Sequence, residues 1–249
     1  MGARSKGLDK RQVGHRDVWA RKETIRRIYR DYHRRLLEFC PQGRLLEVGS
    51  GTAHIKEIRS DVVSTDILAF PGIDVVGDAH SLPFANECFS GVVMIDVLHH
   101  LERPIEFLRE AGRVLRPGGR LAIIEPAMTM VAYPFYHYIH EEPVDLKVDP
   151  FAAVSHDPLR DPFDANQAIP TLLFATDQAR KRLEAEIETF RVVEVDWLSL
   201  FAYPLSGGFK EWCLVPPKLL APLLAVESVM PKFVRKKAGF RILAVLEKV

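Results

Sequence analysis

Cysteine is scarce in this 249-residue chain, with Cys40, Cys88 and Cys213 far apart and no Cys-x-x-Cys pair. One bridge with a leftover thiol is open to them, but three buried or free thiols in a reducing cytosol is the simpler reading. Excess charge of either sign is also missing: 34 Lys and Arg face 33 Asp and Glu, a net charge of +1. The whole chain therefore has no field that would draw it to nucleic acid. There is no long hydrophobic run. The most apolar stretch, residues 214–230, is interrupted by Pro216, Pro217, Lys218, Pro222 and Glu227, which rules it out as a spanning helix. Residues 1–35 are polar and basic, unlike a secretory leader. Lys6 stands where N-myristoylation needs Ser or Thr. No internal repeat or low-complexity tract is present. The expectation is a soluble, cytoplasmic protein, with peripheral contact to a membrane left open.

What is present is an ordinary apolar share, 47%, enough for a sizeable α/β core. The charge is unevenly placed. Residues 1–35 hold 12 Lys and Arg against 4 Asp and Glu, a local +8 that leaves −7 for the remainder. Within this arm Val18, Ile25, Ile28, Tyr29, Tyr32 and Leu36 recur at helical spacing, so one face is apolar and the others Arg-rich. Residues 1–40 read as a basic helical cap on a domain spanning 41–249. An anionic surface or substrate is the alternative use of that charge.

From residue 44 short apolar runs alternate with helical or turn segments. Residues 44–48, 61–67, 74–76, 90–95 and 120–125 read as strands, and 104–115 as a helix with Pro104 in its first turn. Such alternation predicts a doubly wound, mostly parallel sheet with helices on both faces. Residues 176–189 read as a further helix, 190–199 as a strand and 240–248 as a terminal strand. Two insertions, 127–175 and 200–238, interrupt the pattern and read as a substrate lid, since loops of that length are usually functional or carry short structure of their own.

The strongest motif is Leu45-Leu46-Glu47-Val48-Gly49-Ser50-Gly51-Thr52-Ala53, a strand running straight into Gly-x-Gly. Glycines there let backbone approach a bound nucleotide-like group. His54 occupies the place of the third glycine of a dinucleotide fingerprint, which disfavours a pyrophosphate site. Asp66 ends the second strand run, 17 residues past Gly49, where an acid can accept both ribose hydroxyls.

With Glu47 two residues before the first glycine, this pattern resembles the cofactor loop of class I S-adenosylmethionine-dependent methyltransferases. Gly77-Asp78-Ala79-His80-Ser81-Leu82-Pro83-Phe84 resembles that family's adenine segment, and Leu115-Arg116-Pro117-Gly118-Gly119-Arg120-Leu121 its turn into the fifth strand. Together they resemble the small-molecule type 11 branch across roughly residues 40–126. The resemblance implies a Rossmann-like seven-stranded sheet, mostly parallel with an antiparallel C-terminal strand. It implies S-adenosyl-L-methionine held by Glu47, Gly49, Ser50, Gly51, Asp66, Ile67, Asp78, Ala79 and Asp96. Two positions depart from the family pattern: Ala53 for a common glycine, a change that a helix start tolerates, and Ser90 for an acid before the fourth strand.

Met94-Ile95-Asp96-Val97-Leu98-His99-His100-Leu101 leaves the fourth strand beside the expected methyl group. Asp96, His99 and His100 are the catalytic candidates, a histidine serving as base for a hydroxyl nucleophile. Neighbouring helical residues point about 100° apart, so only one histidine is expected to face the substrate, and each could instead pack or cap. Tyr133, His137 and His140 are the substrate-side candidates in an aromatic lid. His137 and His140 with Glu141 lack a fixed third ligand, so no metal is expected. The second insertion combines an apolar stretch with Lys232, Arg235, Lys236 and Lys237, which suits a membrane surface, an amphiphilic substrate, or simple packing on the sheet.

The expected function is methyl transfer to oxygen or carbon on an apolar or amphiphilic small molecule. The alternatives are a non-catalytic S-adenosylmethionine-binding domain and a nicotinamide-dependent reductase, the latter opposed by His54. The acceptor and the oligomeric state are not legible in the sequence.

Overall fold

The computed structural model describes residues 8–249, so the myristoylation reading at residues 1–6 falls outside the described residues. Seven strands form one sheet: β1 (Leu45–Val48), β2 (Val63–Asp66), β3 (Val75–Val76), β4 (Phe89–Ile95), β5 (Leu115–Pro126), β6 (Phe190–Leu198) and β7 (Arg241–Lys248). Their spatial order is β3-β2-β1-β4-β5-β7-β6. The first five pair in parallel, and β7 runs antiparallel to both β5 and β6. This is the expected doubly wound sheet with an antiparallel C-terminal strand.

The period-two pattern of the strands divides the core into two layers. Leu46, Val92, Met94, Leu121, Ile123, Ile242, Ala244 and Leu246 face one layer, and Leu45, Val93, Ala122, Ile124, Leu243 and Val245 the other. Helices α3 (Pro104–Val114), α5 (Ile169–Phe174) and α6 (Asp177–Glu186) supply the first layer. On the other side lie α1 (Lys10–Arg21), α2 (Glu23–Phe39), α7 (Ala202–Ser206) and α8 (Pro217–Val229). α2 contributes Ile25, Ile28, Tyr32 and Leu36, all essentially inaccessible. Each such aliphatic side chain contributes roughly 1.5–3 kcal/mol relative to exposure, which is why the basic arm docks despite its charge.

Three local features differ from expectation. The fifth strand starts at Leu115 rather than 120, because Leu115 pairs with Phe89 before the register breaks and resumes at Gly91 and Arg120. The Pro-Gly-Gly segment is thereby absorbed into the strand. After Gly51 the chain makes only a 3₁₀ turn, His54–Glu57, not an α-helix. Ala53 precedes that turn with φ +59°, a left-handed conformation that strains any residue bearing a Cβ, so the place of the common glycine is not a relaxed helix start. Ser90 donates its hydroxyl to the Arg44 carbonyl at 3.0 Å, tying β4 to the residue before β1.

The insertion at 127–175 holds α4 (Ala132–Tyr138) and α5, and that at 200–238 holds α7, α8 and α9 (Lys232–Ala238). Among the described residues no helix is long and apolar enough to cross a membrane. All three cysteines are free.

Candidate active site

Parallel strands point their carboxyl ends the same way, and the crevice opens where strand order reverses, between β1 and β4. Four acids stand there in sheet order: Asp66 ending β2, Glu47 in β1, Asp96 just after β4, and Glu125 near the end of β5. Each is held differently.

Asp66 accepts the Gly51 amide on Oδ2 and the Leu68 amide on Oδ1, both at 2.8 Å. Burial pushes its carboxyl up, against the pull of those amides. Glu47 is buried, with Oε1 at 3.0 Å from His33 Nε2 and Oε2 without a partner. Asp78 accepts the His80 amide at 2.8 Å on an oxygen 2.7 Å from the His80 ring. Burial raises its carboxyl, but the His80 contacts outweigh that and hold it below the usual range. Gly49 has φ +69°, and a Cβ there would lie 2.2 Å from Val97 Cγ2, so this turn admits glycine alone. A Cβ on Gly51 would meet nothing within 4 Å, leaving open space beside the loop.

Asp96, with φ +57°, receives the Tyr29 hydroxyl at 2.5 Å and the guanidinium of buried Arg241. Both carboxylate oxygens are therefore engaged. Arg241 in turn lies over the Tyr203 ring, 4.0 Å from its centroid. Glu125, fully buried, accepts the Val97 and Leu98 amides at 2.8 Å and faces His99 Nδ1 at 2.6 Å. On its other side His99 Nε2 lies 3.4 Å from Glu142. Burial alone would depress this imidazole; Glu125 and then Glu142 reverse the effect and raise it to about 9. His100, its ring 4.2 Å from that of His99, is pushed by burial and by its charged neighbour down to about 4.

All of Glu47, Gly49, Ser50, Gly51, Asp66, Ile67, Asp78, Ala79, Asp96, His99 and His100 line one cleft of about 860 Å³. Both histidines line it, from a short 3₁₀ turn, Leu98–His100, and not from an α-helix. Of the substrate-side candidates His140 lines the cleft, whereas Tyr133 and His137 do not. Their rings stack on each other with centroids 5.3 Å apart, and the same helix presents Phe135 and Tyr136 to the cleft. The 127–175 insertion and α1 meet across the opening, where Arg11 pairs with Asp161 at 2.9 Å and covers Phe163. Gln12 and His15 of α1 also line the cleft.

Glu125, Glu142, Arg241, Tyr29 and Tyr203 were not singled out by sequence reasoning. Glu125 carried a usable signal, an acid closing an apolar strand in the manner of Asp66. The others lie in segments whose place only folding sets.

Residues 46–123 match the family model described as a methyltransferase domain. Over 70 residues the chain is 44% identical to a ubiquinone/menaquinone biosynthesis C-methyltransferase of Roseobacter denitrificans, covering 26% of this chain and 28% of that protein. Over 53 residues it is 51% identical to the phthiotriol/phenolphthiotriol dimycocerosates methyltransferase of Mycobacterium leprae, covering 21% and 20%. The match thus spans only a fifth to about a quarter of these relatives' length. A S-adenosylmethionine-dependent methyltransferase structure from Archaeoglobus fulgidus shares the fold at TM-score 0.53 and 17% identity, covering 90% of this chain and 94% of that one. Residues 46–123, the segment that spans the glycine loop, Asp66, Asp78 and Asp96, thus match a methyltransferase domain, within a fold shared with a S-adenosylmethionine-dependent methyltransferase structure.

Proposed function

We propose that the protein transfers a methyl group from S-adenosylmethionine to an oxygen or carbon nucleophile on an apolar or amphiphilic small molecule. The observation that carries this reading is the row of acids at the strand ends beside a turn that only glycine can make. Glu47 Oε2, buried without a partner, suits the amino group of the cofactor's amino-acid tail. Asp66 suits the ribose hydroxyls. The Asp78 oxygen left free by His80 suits the adenine amine, with the Ala79 amide beside it. When bound, the cofactor supplies a methyl group already activated by its sulfonium charge.

The protein's own part is alignment and proton handling. His99 is already protonated at neutral pH, so it cannot accept a proton there; wedged between two carboxylates, it positions Glu142 and the His100 ring. His100 is neutral and lines the cleft, so the role of base falls to it. Asp96, clamped by Tyr29 and Arg241, sets the floor of the site and does not act as base. Phe135, Tyr136, Tyr203 and Phe209 wall the acceptor side, which favours an apolar or flat molecule. The quinone and lipid methyltransferases among the relatives agree with that class.

The test is mass spectrometry of cell extract incubated with the protein and deuteromethyl-labelled cofactor. A labelled small molecule, absent with His100→Asn, is expected. Tight binding of S-adenosylhomocysteine with no labelled species in any extract would turn the reading toward a binding domain.

A further inference from the structure

The solvent face of α8 carries large apolar side chains in helical register. Leu219, Pro222, Val226 and Val229 follow at intervals of three and four residues, and all four are exposed. Val229 is 79% accessible, and Phe233, four residues beyond on α9, is 67%. This orientation is enforced from the inside. Glu227, buried on the opposite face, accepts the Phe201 and Ala202 amides at 2.5 and 2.7 Å, and Leu220 is fully buried beside it. Rolling α8 to hide the stripe would break both bonds and strand a buried carboxylate.

Basic residues frame the stripe. Lys218 stands exposed at its start, and Lys236 and Lys237 are exposed on the same turn region of α9 as Phe233. Among the described residues none of these three has a carboxylate within 4.0 Å, whereas Lys232 and Arg235 are paired with Glu194 and Asp196. The face also communicates with the cleft. The Val131 amide donates to the Lys237 carbonyl at 3.2 Å, and α4 begins at the next residue. That helix is 7 residues long, roughly 10 Å, and leads to the cleft-lining Phe135 and Tyr136.

We propose that α8 and α9 form a docking surface for an anionic lipid bilayer, the apolar stripe entering the acyl boundary and the free lysines meeting acidic headgroups. Lys236 Nζ lies 5.4 Å from the Trp197 ring centroid, and with no carboxylate to neutralise them the three lysines beside an apolar face are complementary to such an interface. Docking would set the α4 side of the cleft against the membrane, where an amphiphilic acceptor resides. The proposal goes beyond the chemistry of the cleft and does not depend on which atom is methylated.

Flotation of the full chain with vesicles of phosphatidylcholine, alone or mixed with phosphatidylglycerol, tests it. The protein is expected to float with the mixed vesicles, to stay behind with the neutral ones, and to be released by high salt. Val229→Asp with Phe233→Asp, both on exposed positions, should lower the bound fraction at least about tenfold, and Lys236→Glu with Lys237→Glu should do the same. S-adenosylhomocysteine affinity measured by calorimetry on the same variants should not change. No flotation of the wild-type chain with either vesicle at low salt overturns the proposal. So does a dimer in analytical ultracentrifugation that the Asp substitutions dissociate, since the stripe would then be a contact between two copies. Loss of cofactor affinity in the wild-type chain would count against the methyltransferase reading alone.

Discussion

Glu125 Oε2 lies 2.6 Å from His99 Nδ1, in a pocket where the carboxylate is wholly buried and the imidazole nearly so. Glu125 sits on β5 and His99 in the turn after β4, so this pair couples two adjacent parallel strands across the floor of the cleft. Removing one partner would leave an uncompensated buried charge, which costs about 3–5 kcal/mol in comparable cases.

The pair makes stability depend on pH in a definite sense. His99 is raised from 6.5 to about 9 in the folded protein, so its contribution is full below pH 6.5 and is lost as pH rises through about 9. Glu142 is lowered from 4.5 to about 2, so its contribution is present above 4.5 and is lost as pH falls through about 2. The thermal midpoint is therefore expected to decline between pH 6.5 and 9. Glu125→Gln should lower the midpoint and flatten that decline. Parallel curves for the two proteins in denaturation scans would refute the coupling.

His100 should behave as a base with an unusually acidic limb. Being held down to about 4, it stays neutral across the physiological range, and the low-pH arm of kcat/KM should fall near pH 4 and not near 6.5. His100→Asn is expected to reduce kcat by about 10²-fold or more while leaving S-adenosylhomocysteine affinity unchanged. A pH–rate profile with calorimetry decides this, and full activity in the variant removes His100 from the chemistry.

Asp66→Ala should abolish measurable S-adenosylhomocysteine binding, because it removes the ribose acceptor and frees the Gly51 amide it holds at 2.8 Å. Gly49→Val should do the same through the collision with Val97. Calorimetry checks both, with circular dichroism to establish that each variant folds. Retained affinity in the two folded variants would undo the cofactor assignment.

Ala53→Gly should stabilise the protein by about 1 kcal/mol, since Ala53 holds a left-handed backbone that costs a Cβ-bearing residue roughly 1–2 kcal/mol. In a chain of this size that is a rise of about 2–4 °C in Tm. A lowered Tm would mean that the buried methyl outweighs the relief.

Much of the architecture was legible because its signals are local. Alternation in β7, with Ile242, Ala244 and Leu246 against Leu243 and Val245, is written residue by residue, and the two-layered core follows from it. Glycine at 49 and 51 and the acids at 66 and 78 were also readable, since a turn and a strand end each need only a few neighbours. On the substrate side His140 lines the cleft, and Tyr133 and His137 do not. Tyr133 and His137 share a helix with Phe135 and Tyr136, and a stretch of aromatics does not reveal which flank of a short helix turns inward.

Sequence alone thus determined the doubly wound sheet, the glycine turn and the acids that suit a cofactor, because hydrophobic period and backbone sterics act over a few residues. Tertiary structure alone decided which of two adjacent histidines is charged. His99 meets Glu125 from 26 residues away and Glu142 from 43, His100 meets neither so closely, and proton affinity is set by distance and burial, which exist only once the chain has closed on itself.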